Sequence, residues 1–201
     1  MSSSSREQIL SSIRANIPPK RVEHPPIPVF KRSDVDLKSS FERRLEEAGG
    51  AAHEIGSRLE AEAKLASLHS TVQVICSAVP EIPGTRRAET ILDPHELADV
   101  DVGVVRAQFG VAESGAVWLT QEDLIANALG FLPQHLVVFL DPEEIVADMH
   151  EAYARVRLDQ TAYGCFMMGP SATGDIEATL VHGAQGPRSL NVFSLRRSGE
   201  A

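Results

Sequence analysis

The sequence predicts an α/β fold, a largely parallel sheet covered by helices, and three observations carry that reading. Segments of helical period alternate with short apolar runs from about residue 31 onward. Glycine and proline stand where elements should stop or start. With 201 residues, 43% of them hydrophobic, the chain is long enough for one core that buries roughly 70% of its unfolded surface.

Ser4 and Glu7 are spaced as a capping box, and Ile9, Leu10 and Ile13 make one apolar stripe before Pro18 and Pro19 end this first helix. Five prolines between Pro18 and Pro28 then favour an extended linker. Residues 1–30 therefore read as a helical arm and a proline-rich linker, and residues 31–201 as the α/β domain. The arm docks on another subunit, docks on its own domain or frays, and the sequence leaves all three open.

A helix is expected over residues 37–48, stopped at Gly49, and a second over 58–68 leads to a strand at 71–77. Strands are expected at 102–105, 117–119 and 136–140. Pro142 opens the clearest helix, with Ile145, Val146, Met149, Ala152, Tyr153 and Val156 on one side. Short apolar runs at 163–168 and 190–195 supply the last strands, and no internal repeat is present.

Two stretches carry chemistry. Residues 169–187, GPSATGDIEATLVHGAQGP, read as a glycine-rich loop at a strand's carboxyl end followed by a short helix with Ile176, Leu180 and Val181 facing inward. Gly169 and Gly174 free the backbone, Ser171 and Thr173 supply hydroxyls, and the first helical amides face whatever occupies the loop. A small anionic ligand suits such a place, and open α/β sheets take ligands outside the carboxyl ends of their strands. Asp175 can satisfy the same amides itself, so plain capping and ligand binding stand level. His182 either faces the same cleft or bonds the helix's terminal carbonyls.

In the second stretch, GVAESGAVWL from Gly110, the residues Glu113, Ser114 and Gly115 interrupt two apolar runs as a tight turn or bulge. A carboxylate there can act as nucleophile or base, with Gly115 leaving room for a substrate, although most such turns are solvated corners. Arg106 and Gln108 just ahead offer donors to a carboxylate substrate, or Arg106 forms a salt bridge. Arg86 and Arg87 follow a Pro-Gly turn and are expected in solvent.

Together the two stretches resemble the LUD domain family, the family of lactate utilization protein C, whose segments G-[IV]-A-E-[ST]-G and G-P-S-x-T-x-D-I-E are matched here by GVAESG and GPSATGDIE. The resemblance continues through Val181, Gly183, Gly186 and Pro187 and covers roughly the second half of the chain. It departs at Gly174, where many relatives have alanine, and at Gln185, where many have histidine. The resemblance implies a three-layer α/β fold similar to the NagB/RpiA/CoA-transferase group. It also implies a part in oxidising L-lactate to pyruvate beside iron-sulfur partner proteins, with the chemical role of this subunit left open. The alternative it allows is a CoA-transferase-like acyl transfer with Glu113 as the nucleophile.

Charge and cysteine usage bound the rest. A net charge of −9 argues against a nucleic-acid backbone binder, which needs clustered Lys and Arg. No apolar run approaches the roughly 20 residues that span a bilayer, and the polar start MSSSSREQ lacks a secretory apolar core, so the expected compartment is the cytoplasm. Cys76 and Cys165 cannot by themselves supply the four thiolates of a cluster, so no cofactor is expected in this chain and iron-sulfur clusters belong to partners. Both thiols sit in apolar runs and read as buried side chains rather than reactive ones. The histidines are scattered without ligand spacing, so no metal is expected. Homo-oligomerisation is left open.

Overall fold

The computed structural model describes residues 4–17, 25, 28, 36–174 and 180–197. The chain divides into a unit of residues 1–31 and a unit of residues 32–201. In the first, α1 (Ser5–Ala15) begins at the expected capping box: the Ser4 hydroxyl accepts from the Glu7 amide and the Glu7 carboxylate accepts from the Ser4 amide.

The second unit is organised by six parallel strands in the order β1 (Ala51–Glu54), β12 (Ser189–Ser194), β7 (His135–Leu140), β4 (Val102–Arg106), β2 (Ile75–Ser77) and β3 (Arg86–Arg87). Successive side chains of a strand point to opposite faces, and both faces here are apolar. Leu136, Val138, Leu140, Leu190 and Val192 join one core cluster with Phe41 and Leu45 of α2 (Leu37–Glu47). Val137, Phe139, Val104 and Phe193 join another with Ala61 and Leu65 of α3 (Arg58–Leu68). The expected three-layer α/β class with a largely parallel sheet is therefore what the chain forms.

The α2 face is also covered by a second sheet, in the order β8 (Ile145–Val146), β5 (Phe109–Val111), β6 (Ala116–Thr120) and β9 (Gly164–Met167). One of its faces, through Val117, Leu119 and Ile145, belongs to the α2 core. The other, through Phe109, Val111, Trp118 and Val146, packs with Ala152 of α5 (Met149–Arg155), the helix that follows the single turn α4 (Gln121–Leu124).

Two expectations need correction. The long helix from Pro142 is instead one 3-10 turn (Pro142–Glu144), the strand β8 and then α5, capped by Asp148. The adjacent residues Ile145 and Val146 bury into opposite cores, which a strand allows and a helix face does not. The helix expected after Gly174 is also replaced at its far end. Leu180 and Val181 lie in β11 (Leu180–His182), paired antiparallel with β10 (Ala172–Gly174) so that Thr173 faces Val181. Asp175 and Ile176 lie outside the described residues.

Candidate functional site

The Glu113 corner is a hairpin turn. β5 and β6 pair antiparallel with Val111 opposite Ala116, and Gly115 closes the turn at φ +71°. A Cβ on Gly115 would lie 2.3 Å from the Leu45 amide nitrogen, so this glycine lets the turn sit directly on the backbone of α2. The Ser114 hydroxyl accepts from the Ala116 amide at 3.3 Å. Gly110 packs tightly, since a Cβ there would meet Leu140 Cδ2 at 2.9 Å and Phe41 Cε2 at 3.0 Å. The Glu113 carboxylate is half-buried and accepts from the amide of Met149, the first residue of α5, at 3.2 Å, while its own amide donates to the Ala147 carbonyl at 3.1 Å. A carboxylate at a helix start compensates the positive end of the peptide dipoles, so Glu113 ties the hairpin to α5.

The Gly169 corner rests on the same helix. Gly169 has φ +65°, and a Cβ there would stand 2.3 Å from the Ala48 carbonyl oxygen at the end of α2. Ser171 is pinned on both sides of its peptide: its amide donates to Pro187 O and its carbonyl accepts from Gly183 N, both at 2.9 Å. Around this corner is a pocket of about 500 Å³ whose lining includes Phe131, Tyr163, Cys165, Met167, Ser171 and Gln185. No charged side chain lines it among the described residues. Burial pushes the Cys165 thiol above its ordinary value, with a smaller opposing effect from Tyr163, which disfavours the thiolate. Cys76 is fully buried and is pushed up by burial as well.

The two motifs thus meet α2 side by side but do not share this cavity. Gly169 and Ser171 line it, whereas Gly110, Glu113, Ser114 and Gly115 do not. Thr173 is half-buried in β10, and Gly174 is exposed at the strand's end with open space around it. His182 ends β11, across from Ala172. β9, which leads to Gly169, belongs to the antiparallel region, so this loop is not at the carboxyl edge of the parallel sheet as the sequence reading supposed.

That edge lies elsewhere, and of its residues the sequence reading singled out only Arg106, as a donor or a salt-bridge partner. Arg106 ends β4, stacks at 5.2 Å over the Phe139 ring and pairs with Glu81. Ser57 and Arg58 begin α3 directly after β1, and Arg196 and Arg197 follow β12. The missed signal is IGS at residues 55–57, a strand-to-helix turn concealed because the four-residue strand β1 carries only a weak apolar pattern. Among the described residues no three His, Cys, Asp or Glu side chains gather as metal ligands.

Comparison with known proteins places this architecture. A family model described as the LUD domain matches residues 85–193. The chain belongs to the LUD domain family. Lactate utilization protein C of Shouchella clausii is 32% identical over 108 residues, covering 51% of this chain and 46% of that protein. An uncharacterized protein of Escherichia coli, YkgG, is 31% identical over 160 residues, covering 77% of this chain and 60% of the relative. The first curated relatives matched are spanned over only 43%, 40% and 46% of their own lengths. A crystal structure of a DUF162 family protein from Deinococcus radiodurans is similar in fold, with a TM-score of 0.62 at 19% identity, covering 80% of this chain and 96% of the other. Both motif corners fall inside the matched LUD residues.

Proposed function

We propose that this LUD protein serves L-lactate utilization, as a cytoplasmic subunit that supports oxidation of L-lactate to pyruvate beside iron-sulfur partner proteins. The observation that carries this reading is its likeness, across the LUD residues, to proteins named lactate utilization protein C. The Gly169 corner is where the subunit engages its ligand or partner. Between a small anion and a protein partner, the uncharged, mostly apolar lining of that pocket supports the partner, because an anion buried there would find no cationic side chain among the described residues. In-frame deletion of the gene is expected to abolish growth on L-lactate but not on pyruvate, and the tagged protein is expected to copurify with iron-sulfur proteins. Normal growth of the deletion strain on L-lactate rejects the reading.

The acyl-transfer alternative asks Glu113 to attack a CoA ester. Its bond to the Met149 amide favours a structural task for that carboxylate. Incubation with acyl-CoA and borohydride is expected to leave Glu113 unmodified, and a label there would restore the alternative.

A further inference from the structure

We propose that the carboxyl edge of the parallel sheet holds a second site, for a small organic phosphate, in the arginine-lined crevice between the start of α3, the end of β4 and the segment after β12. Open α/β sheets place ligands outside the carboxyl ends of parallel strands, and here β1, β4 and β12 all end at one cavity of about 470 Å³. Ser57, Arg58, Arg106, Arg196 and Arg197 line it, with Glu81 its one carboxylate among the described residues. A chain of net charge −9 has here brought four arginines to the lining of one hollow. A second cleft of about 340 Å³, shared through Gly56, Leu195 and Arg196, continues along the edge to Ile55, Pro142 and Lys38. The first space suits a phosphate and the second, partly apolar, suits the organic remainder; together they have the size of a metabolite site.

Structural pairing leaves part of this charge uncompensated. Arg58 pairs with Glu62 at 3.0 Å and Arg196 with Glu143 at 3.3 Å, between exposed side chains where such pairs contribute little. Arg197 has no acidic side-chain partner among the described residues; only its backbone amide is engaged, donating to Asp141. The deeper pair is incomplete: Arg106 Nη1 and Glu81 Oε2 are buried without hydrogen-bond partners. Buried polar groups are seldom left so, and function is one of the standing reasons. Guanidinium forks match carboxylate and phosphate oxygens alike, two at a time; what favours a multiply charged phosphate over a singly charged carboxylate such as lactate is the excess of four arginines over one glutamate.

Titration of the 201-residue chain with inorganic pyrophosphate, against sodium chloride of equal ionic strength, tests this. A saturable rise in melting temperature is expected, with Kd weakened about tenfold or more in the Arg58→Ala/Arg197→Ala variant, a loss of about 1.4 kcal/mol. Both side chains are exposed, so the variant keeps its fold. Arg157→Ala, whose arginine pairs with Asp159 away from the crevice, is expected to bind as the parent does. Absence of saturation, an unchanged Kd in the double variant, or an equal loss in Arg157→Ala overturns the proposal. The measurement needs no partner protein, so it stands apart from the lactate-growth test.

Discussion

Replacing Gly115 by alanine tests whether the family motifs are architecture. The backbone at this residue is left-handed, φ +71°, which for alanine costs about 1–2 kcal/mol. The added Cβ would stand 2.3 Å from Leu45 N, 2.7 Å from Arg44 C and 2.8 Å from Leu45 Cα, all atoms of a helix backbone that cannot rotate away. Forcing one methyl into a packed site costs a further ~1–3 kcal/mol. The expected loss is therefore about 2–5 kcal/mol, or very roughly 4–20 °C in Tm for a domain of this size. Gly169→Ala should behave alike, with φ +65° and 2.3 Å to the Ala48 carbonyl oxygen. Gly174→Ala is the internal control: nothing lies within 4 Å of its Cβ position, so its effect should stay within about 0.5 kcal/mol. Urea unfolding followed by fluorescence suits the measurement, because Trp118 is the single tryptophan and only 5% exposed. A Gly115→Ala midpoint as close to the parent as that of Gly174→Ala would refute the seating of the hairpin on α2.

Glu113→Gln keeps an oxygen for the Met149 amide but removes the charge at the start of α5, and should lower stability by about 0.3–2 kcal/mol in the same urea assay without altering growth on L-lactate. The neighbouring rings of His69 and His135, with centroids 4.3 Å apart and planes tilted by 33°, give a pH prediction. Burial holds both below the ordinary histidine value, with the neighbouring His135 contributing second for His69 and Arg188 second for His135, while Asp101 opposes. The unfolded chain therefore takes up protons first as pH falls through about 6.5, so the folded state loses up to about 1.4 kcal/mol per pH unit per histidine from there down to the lowered folded values. Unfolding midpoints at pH 7.5 and 5.5 should converge in His69→Phe relative to the parent, and an unchanged difference would remove the histidines as its cause.

What the sequence could reveal depended on whether the deciding interaction was local. α3 runs over the expected residues 58–68 because its cap and its apolar spacing lie within a few residues of each other, and β7 and β12 are apolar runs long enough to stand out. The Glu113 turn was legible for the same reason, a glycine between two strand-forming runs. Ile145 and Val146 failed because six apolar residues fitted a helical stripe; only β5, far back in the chain, turns that pair into a strand with its two side chains in different cores. The Gly169 loop failed differently. Its glycine was read as freeing the backbone, and it does stand at φ +65°, yet the partner that demands it is the carbonyl of Ala48, more than a hundred residues earlier. The arginine crevice was the least legible, since Arg58, Arg106 and Arg197 come from three separate strand ends and only the parallel order of β1, β12, β7 and β4 brings those ends to one edge. Motif glycines therefore mark where the chain touches itself, while the charge concentrated at the sheet's edge marks where it is built to touch something else. A LUD relative with the crevice arginines replaced and both glycine corners retained should keep this fold and lose its affinity for phosphate.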